Sequence, residues 1–192
     1  IDFLKANCQR LYFFGLGFIQ VKLNESERVH FYTNAFRKTV LKEEIHNHRY
    51  NFESKIIKGT VVQEIYLHQL NSEANSLTTK QELFANHLND NCKFCITKET
   101  CNPAIKKEFD RQECTVKLIQ RHTFVAGSSY WTDHNTLHRV DSDDAITYLT
   151  RGPYMKDEAD VIYPIDLVPT CPFSVKVSDD ELWEVIRSMI GK

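Results

Sequence analysis

Two histidines one residue apart, His46 and His48, are the side chains of this sequence best suited to hold a metal ion together. In an extended strand successive side chains alternate faces, so both imidazoles point the same way and can share one divalent cation. Asn51 reads as a turn residue. After it Glu53, Lys55 and Ile57 lie on one face of a returning strand and Phe52, Ser54 and Ile56 on the other, until Gly59 interrupts it. On that reading Glu53 swings back over the histidines, as a fourth ligand or as an acid-base group. Two imidazoles make a poor site alone, so a third ligand must arrive from a distant strand, and His134 and His138 are the candidates. Nitrogen and carboxylate donors suit a divalent transition metal, and neutral imidazoles leave its charge largely uncompensated and coordination positions open. Binding should weaken as the rings protonate, at about pH 6 for unperturbed histidines.

Other reactive side chains cluster near these in sequence: Tyr50, Phe52, Tyr130, Trp131 and Tyr148, with Arg139 and Arg151. Arg139 directly follows His138 and therefore points to the opposite face of its strand. Arg151 shares parity with Thr147 and Leu149 and would clamp an anionic substrate group bidentately if that face looks inward. Tyr148 and Arg151 join Glu53 as candidate catalytic groups. His30, between apolar residues, reads as a satisfied core or edge histidine. Cys92, Cys95, Cys101 and Cys114 admit three readings, namely a structural zinc, disulfides or unlinked thiols. Cys8 and Cys171 read as small buried hydrophobes.

The elements that would position these groups are mostly strands. Phe18 to Leu23 and Val29 to Tyr32 alternate like a hairpin, and Ile56 to Leu67 is β-branched and aromatic around Gly59-Thr60. Strands follow at Thr115 to Ile119, Thr123 to Ala126, Tyr130-Trp131, Thr136 to Val140 and Ile146 to Thr150, separated by turn residues. Many short strands of this kind indicate an all-β sandwich or barrel. Residues 2–14 place Phe3, Leu4, Leu11 and Phe14 at helical spacing before Gly15 and Gly17. Ser178-Asp179-Asp180-Glu181 has the capping-box form and Leu182, Val185, Ile186 and Met189 follow a helical stripe, which predicts a C-terminal helix at about 179–190. The stretch at about 71–112 is polar and reads as an insertion with a short helix at Gln81 to Leu88.

The chain has 192 residues, 42% hydrophobic and 26% charged, enough for one well-filled core, so residues 1–192 are expected to form one domain. A net charge of -2 gives no global field toward nucleic acid or acidic membranes. No run approaches the roughly 18 apolar residues of a membrane span. Six cysteines are too few for a disulfide scaffold at this length, which favours a reducing, cytoplasmic compartment. The sequence begins at Ile1, so a removed targeting segment would not be visible in it. An oligomer is compatible with all of this.

His46, His48, Glu53 and Gly59 resemble the first motif of the cupin superfamily, a His-x-His pair followed by Glu and then Gly. Phe52, Ser54, Ile56, Ile57 and Gly59 are similar to the corresponding places of small cupins of the cysteine dioxygenase type. His138-Arg139-Val140, with Gly152-Pro153 closing a later strand, resembles the second motif and favours His138 over His134. The resemblance implies a cupin-type β-barrel, a double-stranded β-helix with flanking N- and C-terminal helices. It also implies a metal held by His46, His48, His138 and Glu53, and a small-molecule substrate. Fe(II) is the favoured ion and Zn, Mn or Ni the alternatives. The activity implied is that of a dioxygenase acting on a small polar or thiol-bearing substrate. An isomerase, lyase or hydrolase using the metal as a Lewis acid, or a non-catalytic binding cupin, are the rival readings.

Overall fold

The computed structural model describes residues 1–38, 45–70, 94–99, 112–164 and 176–191. A short helix α1 (Asp2–Asn7) leads into an antiparallel meander of β1 (Arg10–Phe14), β2 (Phe18–Lys22) and β3 (Glu27–Thr33). Then come β4 (Ile45–His46), β5 (Tyr50–Lys58), β6 (Thr60–Leu70), β7 (Phe94–Glu99), β8 (Gln112–Val125), β9 (Ser129–Thr132), β10 (Leu137–Asp141), β11 (Asp144–Tyr154) and β12 (Ala159–Pro164). Helix α2 (Asp179–Gly191) ends the described chain. One six-stranded sheet has the order β1-β2-β3-β11-β5-β9, and the other strands close a ring in the order β10-β4-β12-β7-β8-β6. The chain is thus all-β with a closed barrel and a helix near each end, as the cupin resemblance implied. No helix among the described residues is long and apolar enough to cross a membrane.

Strand alternation sorts the first sheet into two faces, and each finds its own apolar partner. Phe13, Ile19, Val21, Val29, Phe31 and Ile146 turn outward and pack under Leu182, Ile186 and Met189 of α2. Burying each of those aliphatic side chains is worth about 1.5–3 kcal/mol, so α2 is held by its stripe rather than by propensity alone. Its capping box forms as expected, with Glu181 Oε2 accepting from Ser178 N–H at 3.1 Å and from Ser178 Oγ at 2.6 Å. At the other end Lys58 Nζ donates to the Met189 carbonyl at 2.7 Å. The inward face contributes Tyr32, Phe52, Ile56, Tyr130, Ala145 and Leu149, which meet Val61 of β6 inside the barrel. A further cluster of Ile45, Tyr66, Cys114, Leu137 and Ile162 fills the ring of the second sheet.

The β5–β6 turn depends on Gly59. Its φ is 76°, and a Cβ there would stand 2.1 Å from the Asp144 carbonyl oxygen, so only glycine fits.

The structure corrects the sequence reading at the N-terminus. Residues 2–14 divide into α1 and β1, because the run Arg10-Leu11-Tyr12-Phe13-Phe14 alternates and is aromatic, favouring a strand that sends Phe13 outward to the helix layer. β8 runs unbroken where two strands were expected, and β12 adds a strand that was not foreseen. Within the stretch read as an insertion, residues 94–99 form β7, which pairs with β8 and β12 and so belongs to the barrel wall. The helix expected at Gln81 to Leu88 lies outside the described residues, as do Cys92, Cys101 and with them the proposed four-cysteine zinc site. Cys114 itself is a core residue, 2% exposed.

Candidate metal centre

His46 ends β4, and the backbone leaves the ladder just after it. Asn47 turns away from the barrel interior and clasps β12. Its Nδ2 donates to Asp160 Oδ2 at 2.6 Å, its Oδ1 accepts from Asp160 N–H at 2.7 Å, and its own N–H donates to the Asp160 carbonyl at 3.0 Å. Three hydrogen bonds on a residue only 3% exposed fix the link between the two histidines, so His48 returns to the side of His46 although it lies past the strand. His138 arrives on β10, directly opposite His46 in the β4–β10 ladder.

The three imidazoles form a nearly equilateral group, with ring centroids 4.9 Å (His46–His48), 5.2 Å (His46–His138) and 5.1 Å (His48–His138) apart. One ring nitrogen from each lies within 4.8 Å of the others. His48 Nε2 and His138 Nε2 are 2.9 Å apart. Two nitrogens bound at right angles, each about 2.1 Å from one ion, would be about 3.0 Å apart, so this spacing suits adjacent ligands. Burial pushes His48 and His138 well below the ordinary imidazole range, and the neighbouring histidine cations each would face push them further. Both rings are therefore neutral near pH 7 and offer lone pairs without first losing a proton.

Gln63 of β6 supports the third ring. It is 3% exposed, and its Nε2 lies 3.0 Å from His138 Nδ1 and 3.0 Å from Thr132 Oγ1. When Nε2 of His138 gives its lone pair to a metal, Nδ1 must carry the proton, and a half-turn of the Gln63 amide then presents Oε1 to accept it. Thr132 can donate its hydroxyl proton to the same oxygen. Gln63→Leu is expected to weaken metal binding about 10- to 100-fold, and Gln63→Glu, which keeps the acceptor, to restore most of it; chelator competition measures both.

Glu53 is not brought to the centre. It is exposed on the outer face of β5, opposite Trp131 and Thr150 of the flanking strands. Alternation holds as read, but the face is reversed: Phe52, Ser54 and Ile56 are buried inward. The place expected for the Glu53 carboxylate is taken by the Phe52 ring, 4.8 Å from His48 and 5.7 Å from His138. Glu53→Gln should leave metal stoichiometry unchanged and affinity within about twofold in the same competition assay.

Tyr148 lies on the helix-covered face with Ile146, and its hydroxyl donates to Glu27. That hydrogen bond, with burial and the Glu27 charge, pushes the phenol up to about 12. It therefore does not meet the triad. Arg151 does look inward, as its parity with Leu149 required, with its guanidinium carbon 5.0 Å from the Tyr50 ring centroid, and its three nitrogens are engaged by Glu25 and Gly152. Nε donates to the Glu25 carbonyl at 2.6 Å and Nη1 to the Gly152 carbonyl at 3.2 Å, while Nη2 lies 3.6 Å from Glu25 Oε2. Arg139 faces away, paired with Glu64 beside Arg121. His134 is held elsewhere, its N–H and Nδ1 at 2.8 and 2.9 Å from Asn51 Oδ1. His30 is buried, with Nε2 3.0 Å from Gln20 Oε1.

The positioning residues Asn47, Asp160, Gln63 and Thr132 went unread in the sequence. Gln63 carried a signal, a polar residue sharing the parity of Val61 in the apolar first half of its strand.

No family model matches the chain, and no curated protein does. Among solved structures, hydroquinone 1,2-dioxygenase from Sphingomonas sp. TTNP3 with 4-hydroxybenzoate bound is similar over 67% of this chain, at 8% identity and a TM-score of 0.33. The match spans 60% of the length of that neighbour.

Proposed function

We propose that the chain is a metal-dependent enzyme in which His46, His48 and His138 hold Fe(II), and that it is a dioxygenase for a small polar or thiol-bearing molecule. The observation that carries the metal reading is the convergence of three imidazoles from two hydrogen-bonded segments, β4 with its following turn and β10. An ion bound there supplies a Lewis-acidic, redox-capable centre with coordination positions left open to substrate and dioxygen. The protein's own part is positional. Asn47 and Asp160 fix the His46–His48 turn, Gln63 with its amide turned to present Oε1 would accept the Nδ1 proton of His138, and Phe52 walls one side of the triad with an apolar ring that keeps water off it.

Iron and oxygen are favoured by the resemblance of His46-x-His48, Gly59 and His138-Arg139-Val140 to cupin motifs, and a thiol by the finer likeness around Phe52 and Ser54. A second reading has its own support. All three ligands are imidazoles, which suit Zn and Ni as well as Fe, so Lewis-acid chemistry on the same scaffold is the alternative. Elemental analysis of protein purified without added metal, followed by oxygen-electrode measurements with candidate thiols and small polar acids, tests both. One iron per chain with substrate-dependent oxygen uptake is the expected result. Zinc or nickel at full occupancy with no oxygen uptake favours the Lewis-acid reading, and a chain that takes up no metal even on reconstitution removes both.

A further inference from the structure

Helix α2 covers only part of the outward face of the first sheet. It packs with Phe13, Ile19, Val21 and Phe31 of β1–β3, while β5 and β9 at the other side turn alternate side chains to solvent. Trp131 of β9 is 62% exposed and Ile57 of β5 52%. Glu53, Lys55 and Ser129 are exposed with them, and the strand register sets Trp131 beside Glu53 and Ser129 beside Lys55. Ile57 also borders an apolar groove of about 450 Å³ that continues past Ile146 to Ile190 of α2. Large apolar side chains this open, on one continuous face, mark a contact surface.

The charges at the centre of this patch select its occupant. Glu53 and Lys55 stand two positions apart on β5, and none of the ion pairs or side-chain hydrogen bonds among the described residues involves either. One acid and one base at that spacing make a surface complementary to itself. A two-fold axis lying in the interface and crossing β5 at Ser54 would run two copies of β5 antiparallel, face to face, with each Glu53 over the Lys55 of the other copy. Sheets packed this way stand about 10 Å apart, a gap that an extended Glu and Lys bridge together. The same rotation exchanges the rows on β9, so Trp131 of one copy covers Ser129 of the other, a large side chain over a small one, next to Ile57. On β11 it sets Thr150 over Tyr148. An axis along the strands would instead stack Glu53 on Glu53 and Lys55 on Lys55, which like-charge repulsion opposes.

We infer that the outward face of β5 and β9 is the interface of a homodimer closed by a two-fold axis at Ser54, with Trp131 as its apolar anchor and the Glu53–Lys55 pairs setting its register. The inference stands apart from the metal-centre reading, because β5 serves the two through opposite faces: Phe52 turns inward to the triad, and Glu53 and Lys55 turn outward to the second copy.

Sedimentation velocity of the full chain over a concentration series tests it. Wild-type protein should form dimers with a Kd of about 10 μM or tighter. Trp131→Ala should raise that Kd at least about tenfold, as loss of an anchoring aromatic does. Glu53→Lys and Lys55→Glu each place four like charges around the axis and should likewise weaken self-association at least about tenfold. Mixing those two variants joins an all-positive face to an all-negative one and should restore a dimer of near wild-type affinity, as should the double exchange Glu53→Lys with Lys55→Glu. Restoration separates the interface from a folding defect, since a misfolded variant is not rescued by mixing with another. A wild-type chain that stays monomeric at about 100 μM overturns the inference and leaves the patch to a different partner. Single charge variants that dimerise like wild type overturn it too, because the contact then lies on another face. So does failure of both the mixture and the double exchange to restore the dimer.

Discussion

His138→Ala should yield a folded protein that no longer retains metal, with content falling from about one ion per chain to under about a tenth after desalting. The ring is 2% exposed and meets every member of the proposed centre: His46, His48, Gln63 and Phe52. Its removal leaves two imidazoles in a cluster that holds no carboxylate among the described residues, so the loss must exceed the 10- to 100-fold that an outer-shell change costs. The barrel should survive because β10 is held by main-chain pairing to β6 from Leu137 to Asp141, which alanine does not alter. Without metal, the cost should be about 1–3 kcal/mol, from a small cavity and lost hydrogen bonds, part of which Gln63 keeps through Thr132. In excess metal the gap between wild type and variant should widen, since only the wild-type fold gains the binding free energy. Elemental analysis and denaturant melts with and without metal read both quantities. His134→Ala is the control and should retain a full complement, its ring being held at Asn51. Full occupancy in His138→Ala would sink the triad.

How far the centre could be read in advance depended on the range of each interaction. His46 and His48 are neighbours in the chain, and His138 was picked out by the residues that follow it. Strand alternation correctly separated Glu53, Lys55 and Ile57 from Phe52, Ser54 and Ile56, yet alternation leaves open which face turns inward. The composition of the two faces held the answer, because one carries Glu53 and Lys55 and the other carries no charge, and a barrel interior takes the uncharged face. Tyr148 failed for a related reason: nearness to Arg151 in sequence says nothing when odd and even positions of β11 face different layers. Gln63 went unread for another cause. Its partner His138 lies on another strand, and only the sheet order brings them together. The β1 error was one of period, since Leu4, Leu11 and Phe14 satisfy a helical template by coincidence across a helix-to-strand junction.

Metal-free protein should lose stability steeply as pH falls below about 6.5. Burial, reinforced by the Arg28 charge, pushes His30 down to about 3. Burial and then the neighbouring histidines hold His48 and His138 well below the ordinary range. In the unfolded chain each ring takes up a proton near 6.5. Below that pH the unfolded state therefore binds more protons than the native one, so these groups contribute stability that is complete above 6.5 and is lost as pH falls toward their folded values. One such ring changes stability by at most about 1.4 kcal/mol per pH unit, and three change it by about 3 kcal/mol between pH 6.5 and 5.5. That is a large share of the roughly 5–15 kcal/mol that holds a domain of ordinary stability together. The window lies above the range where carboxylates titrate, so denaturant melts at about pH 7, 6.5, 6 and 5.5 isolate the imidazoles. His30→Gln should reduce the slope by about a third, because it removes one of the three protons without touching the triad. With metal bound, two of the rings cannot protonate without releasing the ion, so the curve should stay flatter and metal loss should coincide with unfolding, at a pH below the value near 6 expected of unperturbed histidines. Unchanged metal-free stability between pH 7 and 5.5 would mean that the native rings accept protons freely. A set of ligands that does so would be open to water, contrary to the packing of Phe52 and Gln63 against them.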